Sequence, residues 1–420
     1  MTDHGQNGAQ TQTTPLQQQT KQATSMKKQT TIVTAGRDKK HTHGIVNPPV
    51  YRASTCLFES HQELKDRNKD PYDRHLYYGR KGTPTHWALM DALMALEGAQ
   101  AETCMLYPSG LAAVSGAILA VVKAGDHILI SDSAYDPTRA LAKNFLSRMG
   151  VDHTYYDPMI GEDIRDLIRD NTTCILVEAP GSLTFEVQDI PAISRAAHNS
   201  GHDICVIMDN TWATALYYQA FDKGVDIVVH AATKYIVGHS DVMLGAAIAN
   251  KKYTKPLQQA TASLGYICSA DDAYLALRGL RTLDVRLRQH QENALTIARW
   301  LDDHPAVDRI LHPAFESCPG HDIWKRDFKG STGLFSFVMK DGTLDHAAAM
   351  VDHMHHFKMG FSWGGYESLI LPTDPRHYRQ ASDFKATGPT FRLHIGLEHT
   401  DDLIDDLSDG IDRYLAAIKG

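Results

Sequence analysis

The sequence predicts an α/β protein in which a mostly parallel sheet is flanked by helices. Short apolar runs at residues 205–208 (CVIM) and 227–229 (IVV) end at polar residues, which is typical of strands buried on both faces. Similar runs at 128–131 and 174–178 are separated by stretches long enough for a helix. This alternation indicates parallel strands joined by helical crossovers. In such sheets, ligands bind at the carboxyl ends of the strands.

The composition narrows the class of protein. The 420 residues leave room for two or three domains, and 43% hydrophobic residues allow a large core. A net charge of −8 gives no sign of a nucleic-acid-binding surface, and no apolar run reaches the roughly 18 residues of a membrane helix. The six cysteines are scattered without a CxxC pair. They favour a reducing compartment, the cytoplasm, over a disulfide framework.

Two regions of unusual composition predict neither a metal site nor a catalytic site. The 23 histidines include a group at residues 353–356. Neither an HExxH motif nor paired Cys/His spacing occurs, so we expect no metal site. Residues 1–30 are rich in Gln and Thr and predict a disordered tail.

Helix signals mark the boundaries of the predicted domains. Thr83 and Pro84 predict the start of a helix, and Gly98 predicts its end. Residues 271–288 predict a single long polar helix that leads towards the C-terminus. We therefore expect one domain over residues 83–280 and a second over residues 281–420.

Two charged residues follow the apolar runs at the predicted sheet edge. Asp209 ends the first run, and Lys234, preceded by Thr233, comes just past the second. A lysine amine can condense with the aldehyde of pyridoxal phosphate (PLP). A carboxylate can pair with the protonated pyridine nitrogen of PLP and keep the ring electron-withdrawing. Such a pair alone is weak evidence, because most lysines are solvated and most strand-end aspartates cap turns.

The surrounding motifs resemble those of the Cys/Met-metabolism family of PLP enzymes. Residues 209–213 (DNTWA) and 231–241 (AATKYIVGHSD) agree in order and spacing, and the resemblance runs from about residue 44 to near the C-terminus. It implies an aspartate-aminotransferase-like fold of type I, with a mostly parallel seven-stranded sheet flanked by helices and a smaller α+β C-terminal domain. Residues 83–280 would then form the PLP-binding domain. Residues 31–82 would form an arm that contacts a neighbouring subunit of a homotetramer, a dimer of dimers.

The resemblance also implies the cofactor contacts. Lys234 would carry PLP, Asp209 would pair with the ring nitrogen, and Tyr135 would stack on the ring. Small residues after a predicted strand open a helix whose free N–H groups suit the phosphate. The implied phosphate ligands are Ser109, Gly110, Leu111, Thr233 and, from the adjacent subunit, Tyr78 and Arg80.

Arg392 lies inside the apolar run 391–395 (FRLHI). A charge in such a strand is costly unless it is paired, and the guanidinium fork suits the α-carboxylate of an amino-acid substrate. An internal ion pair with Glu398 is the alternative. The resemblance adds Ser362 as a second carboxylate contact and places Trp363 at the mouth of the pocket.

The same resemblance implies a reaction. Lys234 would remove the α-proton of the substrate, and Tyr135 or the neighbour's Tyr78 would deprotonate the incoming amine. Four features match the branch of the family that cleaves β carbon–sulfur bonds, namely Asp136 after the tyrosine, Ser182, Ala231 and Trp363. This branch converts L-cystathionine into L-homocysteine, pyruvate and ammonia in methionine biosynthesis.

Three alternatives stay open from the sequence. A cystathionine or methionine γ-lyase shares the fold and cofactor but cleaves one carbon further along the substrate, so it yields 2-oxobutyrate instead of pyruvate. A broad cysteine-S-conjugate β-lyase performs the same reaction on other thiol conjugates. A regulator that keeps the PLP fold with vestigial activity belongs to a different class.

Overall fold

The computed structural model describes residues 26–70 and 72–419, so most of the predicted tail, residues 1–25, lies outside the described part. The strands of the large domain are β1 Thr103–Tyr107, β2 His127–Ser131, β3 Asp152–Tyr156, β4 Thr172–Glu178, β5 Cys205–Asp209, β6 Ile227–His230 and β7 Gly245–Ala249. They form one sheet in the order β1-β7-β6-β5-β4-β2-β3. Strand β7 is antiparallel to β1 and β6, and the other pairs are parallel. The predicted seven-stranded, mostly parallel sheet is confirmed.

Helices cover both faces of this sheet. Those before residue 270 are α1 Lys28–Thr34, α2 Lys39–Thr42, α3 His61–Asn68, α4 Pro84–Glu97, α5 Gly110–Leu119, α6 Asp136–Leu141, α7 Ile190–His198, α8 Thr214–Tyr217 and α9 Thr254–Leu264. Thr83 is the N-cap of α4, and Gly98 ends it at a φ of 116°, as the sequence predicts. No helix in the described ranges is long and apolar enough to cross a membrane.

The alternation of side chains along the strands divides the core into two layers. Cys205 and Ile207 of β5 pack in the layer that contains α5 and α9. Val206 and Met208 pack on the opposite face, in the layer that contains α4 and α7. Asp209 continues the period of two from Cys205 and Ile207, so its carboxylate emerges on the face of the sheet that α5 covers.

The C-terminal domain is built on a second, antiparallel sheet. Its strands are β8 Val307–Leu311, β9 Leu334–Met339, β10 Leu369–Thr373 and β11 Thr390–His394, in the order β10-β11-β9-β8. The remaining helices are α10 Ala270–Leu280, α11 Leu283–Asp302, α12 His321–Asp327, α13 Ala347–Val351 and α14 Thr400–Lys419. A separate apolar core includes Phe335, Phe391 and Tyr414, all fully buried. The expected smaller α+β domain is therefore present.

The connection between the domains consists of two helices. The single helix expected over residues 271–288 is wrong, because Arg281 and Thr282 separate α10 from α11. Arg286 folds back across this break. Its Nη2 donates to the carbonyl oxygen of Gly279 at 2.8 Å, and its Nε donates to Thr282 Oγ1 at 3.1 Å. The arginine thus adds a donor to a carbonyl in the last turn of α10, which also accepts from Thr282 N at 3.1 Å.

Candidate active site

A lysine amine lies where the two domains meet. Lys234 comes four residues after the end of β6, and its Nζ donates to Ser362 Oγ at 2.6 Å. The same Nζ lies 5.2 Å from the centre of the Trp363 ring. Burial and, to a smaller extent, the positive charge of Arg392 lower the pKa of Lys234 to about 8, although Asp209 opposes the shift. An amine with this pKa is partly neutral near physiological pH and is therefore nucleophilic.

Asp209 is oriented by the residue two positions after it. Thr211 N and Thr211 Oγ1 donate to Asp209 Oδ1 at 3.0 and 2.5 Å, and Ala231 N donates to Thr211 Oγ1 at 2.8 Å. Within the described residues every hydrogen bond to this carboxylate goes to Oδ1, which leaves Oδ2 for another partner. Burial raises the pKa of Asp209, and Thr211 opposes that shift. A desolvated carboxylate of this kind gains strongly from a cationic partner. Thr211 was not predicted from the sequence, although an aspartate in a turn commonly accepts from the backbone N–H two residues later, as Asp209 does here.

Tyr135 and a second carboxylate complete this side of the cleft. Glu178 is in register with Asp209 across β4 and β5, and its Oε2 accepts from Tyr135 N at 2.8 Å. Burial and the adjacent Asp209 hold the pKa of Glu178 well above its usual range. Tyr135 is 45% exposed. Burial raises the pKa of Tyr135, Glu178 and Asp209 add to the shift, and Arg392 opposes it. Tyr135 therefore shares the cleft with Asp209 and Arg392.

Arg392 has no carboxylate partner among the residues that the structure describes. Its Nη2 donates to the backbone oxygen of Ser362 at 3.1 Å, and burial lowers its pKa to about 10. Glu398, the alternative partner, instead accepts from Ser368 N and Ser368 Oγ, both at 2.8 Å. The internal ion pair is not formed, so the guanidinium is left to bind an anion in the cleft.

A glycine-rich loop of the C-terminal domain carries Ser362 and Trp363 to the lysine. Gly364 has a φ of 89°, and a Cβ there would lie 2.9 and 3.0 Å from the backbone C and Cα of Lys234. Only glycine allows the loop to come this close. Gly364 N donates to His394 Nε2 at 3.0 Å, which ties the loop to β11. This role of His394 was not predicted from the sequence.

The start of α5 provides an anion-binding position. Ser109 is the N-cap, and its Oγ accepts from Ala112 N at 3.2 Å. The N–H groups of Gly110 and Leu111 lie in the first turn, where a helix offers no acceptor, and the positive end of the helix favours a phosphate. A Cβ at Gly110 would lie 2.4 Å from the Cβ of Ala231, so glycine is required at this close approach.

Within this chain, three of the predicted phosphate ligands either bond to other groups or are exposed. Thr233 Oγ1 donates to the backbone oxygen of Leu244 at 3.2 Å. Tyr78 is 44% exposed, and Arg80 Nη1 donates to the backbone oxygen of Ala262 at 2.8 Å. In the described ranges neither Tyr78 nor Arg80 forms a hydrogen bond with another predicted site residue.

The donors of this cleft suit PLP. The cleft offers an amine of lowered pKa for the aldehyde, a buried carboxylate for the pyridine nitrogen, a helix start for the phosphate and an aromatic ring beside them. An unpaired guanidinium is available for the carboxylate of an amino acid. Over residues 26–70 and 72–419, no group of three or more His, Cys, Asp or Glu could hold a metal ion. The fold and these donors define a PLP-dependent enzyme of fold type I.

Comparison with known proteins identifies the family. The family described as Cys/Met metabolism PLP-dependent enzyme matches residues 29–412. The chain belongs to this family.

Relatives cover nearly the whole chain. The cystathionine beta-lyase of Escherichia coli (strain K12) is 45% identical over 390 residues, which are 92% of this chain and 98% of that protein. The L-methionine gamma-lyase of Fusobacterium nucleatum subsp. polymorphum is 32% identical over 391 residues, with coverage of 91% and 98%. The solved structure of cystathionine gamma synthase from Xanthomonas oryzae pv. oryzae, in complex with cystathionine, has a TM-score of 0.83 and 31% identity, covering 94% and 100%. These matches confirm the predicted fold and cofactor.

Proposed function

We propose that this enzyme is a cystathionine β-lyase, which cleaves the Cβ–S bond of L-cystathionine to give L-homocysteine, pyruvate and ammonia. One observation carries the proposal. A lysine amine of lowered pKa and an unpaired buried guanidinium lie on either side of Ser362. This arrangement can hold an α-carboxylate close to a base. The 45% identity to a β-lyase, compared with 32% to a γ-lyase, favours cleavage at the β carbon.

Arg392 and Ser362 bind the substrate in this proposal. Two of the N–H groups that the guanidinium fork has free hold the α-carboxylate, and the Ser362 hydroxyl, now 2.6 Å from Lys234 Nζ, moves to the same carboxylate. Trp363 covers the mouth of the pocket. Fixing the carboxylate orients the Cα–H bond towards Lys234, which lowers the entropic part of the barrier.

Lys234 moves the protons of the reaction in this proposal. Bound PLP supplies an electron sink for the Cα–H bond electrons, and Asp209 keeps the pyridine nitrogen protonated for that purpose. Lys234 Nζ takes the α-proton and returns it to the departing sulfur as the Cβ–S bond breaks. Tyr135 or the neighbour's Tyr78 takes the proton of the incoming amine. The remaining unsaturated amino acid reacts with water to give pyruvate and ammonia.

The neighbouring subunit completes the site in this proposal. Ser109, Gly110, Leu111 and Thr233 hold the phosphate from within the chain. Tyr78 and Arg80 contact the phosphate of the adjacent copy, in a homotetramer built as a dimer of dimers. The exposure of Tyr78 supports this role.

The chain is divided in this proposal into an arm at residues 31–82, a PLP-binding domain at 83–280 and a C-terminal domain at 281–420. The six free cysteines support a cytoplasmic location.

Product identification tests the proposed reaction. The purified PLP-loaded enzyme is incubated with L-cystathionine, and the 2-oxo acid and the thiol are measured. We expect pyruvate and homocysteine in equal amounts. 2-Oxobutyrate with cysteine would contradict β-cleavage and support a γ-lyase. Pyruvate from other cysteine S-conjugates at higher kcat/KM would support the broader β-lyase, and binding without any product would support the regulator.

The pH dependence of cofactor capture tests the lysine. We expect apo-protein to capture PLP faster as pH rises, with a plateau above a midpoint of about 8, because burial and Arg392 lower the pKa of Lys234 and only the neutral amine attacks the aldehyde. Stopped-flow absorbance of the lysine-bound cofactor measures the rate. Lys252→Ala, which removes an exposed lysine paired with Asp203, should give the same profile. A rate that still rises as the pH approaches 10.5, the ordinary pKa of a lysine, would show that Lys234 is not the group that titrates.

A further inference from the structure

A buried carboxylate that the proposed reaction does not use joins the two domains. Asp132 directly follows β2, three residues before Tyr135, and its side chain is 0% exposed. It accepts from the backbone N–H groups of Gln380, Ala381 and Ser382 at 2.9 to 3.1 Å and from Ser382 Oγ at 3.1 Å. These donors belong to the C-terminal domain. Asp132 thus binds a segment of the other domain with four hydrogen-bond donors.

Arg139 neutralises this carboxylate and binds the same segment. Its Nη1 donates to Asp132 Oδ1 and to the Asp132 backbone oxygen, both at 2.9 Å, and its Nη2 donates to the backbone oxygen of Tyr378. The guanidinium also lies 3.9 Å from the centre of the Tyr155 ring. Both charges are therefore buried and hydrogen-bonded. We call Asp132, Arg139 and residues 378–382 the interdomain latch.

A second buried ion pair fixes the latch segment. Arg379 Nη2 donates to Glu186 Oε1 and, at 2.6 Å, to Thr184 Oγ1, while Nη1 donates to Ser382 Oγ at 3.0 Å. The Arg379 and Glu186 side chains are 5% and 10% exposed. Buried ion pairs add little net stability because desolvation offsets their attraction. Two such pairs that contact one short segment therefore fix its position more than they strengthen the fold.

The latch connects two parts of the proposed active site. On one side, the loop that contains Asp132 continues to Tyr135, whose N–H is held by Glu178. On the other side, residues 378–382 lie between β10 and β11, and β11 carries Arg392. The distance between the tyrosine ring and the guanidinium therefore depends on how this segment docks on the large domain.

We propose that Asp132 is a positioning residue, which holds residues 378–382 against the large domain and so sets Tyr135 relative to Arg392. The inference rests on the proposed function, in which Tyr135 stacks on PLP and Arg392 binds the substrate. Asp132 itself touches neither group. Its effect is to hold the cofactor ring and the substrate carboxylate in the alignment that proton removal at Cα requires.

Asp406 offers a matched control. Its carboxylate also accepts three backbone N–H groups, those of His355, His356 and Phe357, at 2.7 to 3.0 Å. It is 4% exposed. All these residues belong to the C-terminal domain, so Asp406→Asn disturbs a similar carboxylate cap without touching the contact between the domains.

We expect Asp132→Asn in the holoenzyme to reduce kcat/KM about ten- to a hundredfold. KM rises because the displaced Arg392 binds the substrate carboxylate less well, and kcat falls because the Cα–H bond loses its alignment. The visible circular dichroism of bound PLP should also change, since the ring of Tyr135 shifts. Asp406→Asn should lower Tm less, because it leaves no buried arginine unpaired, and it should keep the kinetic constants and the circular dichroism of the wild type.

Two results would overturn the proposal. One is an Asp132→Asn enzyme whose Tm falls while its KM and circular dichroism stay unchanged, because Asp132 would then be structural only. If Asp132→Asn does not fold, Ser382→Ala removes one donor without leaving a buried charge unpaired, and we expect the same changes on a smaller scale. The second result that would overturn the proposal is a Ser382→Ala enzyme whose KM and circular dichroism are those of the wild type. Circular dichroism needs no substrate, so it tests the interdomain latch even if the wild-type enzyme does not cleave cystathionine. Failure of the wild-type enzyme to cleave cystathionine would refute only the proposed function.

Discussion

Lys234→Ala is expected to abolish product formation while the protein stays folded. The change removes both the amine that PLP condenses with and the proposed base at Cα, and a general base alone contributes about 10²- to 10⁴-fold. We therefore expect kcat to fall by at least about 10⁴-fold. Pyruvate release from L-cystathionine measures the loss, and the visible absorbance of lysine-bound PLP should disappear with it.

A surface lysine controls for the loss of charge. Lys252, which is 54% exposed and paired with Asp203, can be replaced by alanine with no expected change in kcat. Added methylamine or ethylamine should restore part of the activity of Lys234→Ala, because a free amine can replace the missing base. Turnover near the wild-type rate in Lys234→Ala would rule out the lysine as the catalytic group.

Arg392→Lys is expected to reduce kcat/KM by about 10²-fold or more, mainly by raising KM. Lysine keeps the positive charge but loses the planar fork that binds a carboxylate through two parallel bonds. Losing a buried charged contact of this kind costs about 2–5 kcal/mol. Steady-state kinetics with L-cystathionine give the effect, and the absorbance of bound PLP should stay unchanged because Arg392 does not hold the cofactor.

Arg376 is the matched control for this substitution. It lies in the same domain, is 53% exposed and pairs with Asp374, so Arg376→Lys should leave kcat/KM unchanged. Arg392→Leu provides a second check, because Arg392 lowers the pKa of Lys234. The midpoint of PLP capture should move above 8 in this variant. An unaltered kcat/KM in Arg392→Lys would refute the carboxylate role.

The site residues that could be predicted from the sequence are those whose positions follow directly from strand periodicity. Asp209 and Lys234 come just after apolar runs, so their place at the sheet edge follows from the strands themselves. Arg392 was visible because a charge interrupts an apolar strand. Tyr135 and Ser109 needed the family resemblance as well, because an aromatic residue or a serine at a strand end is common in any protein.

Long-range contacts explain what the sequence could not reveal. At the break between α10 and α11, the guanidinium of Arg281 donates to the backbone oxygens of Ile32 and Ala35, which are distant in the sequence. The leucine pattern of the segment continues through the break and gives no warning of it. Glu178 looked like an ordinary strand residue, and its contact with Tyr135 N appears only once β4 is placed beside β5.

The active site takes residues from two domains that each have an apolar core of their own, and this has a consequence for refolding. One core lies wholly within the C-terminal domain, whereas another lies on one face of the large sheet. Lys234 and Asp209 belong to the large domain, but Arg392 belongs to the other. After dilution from denaturant, PLP absorbance can return once the large domain has folded, whereas catalytic activity must wait until the domains dock. The delay between the two signals then measures the docking time.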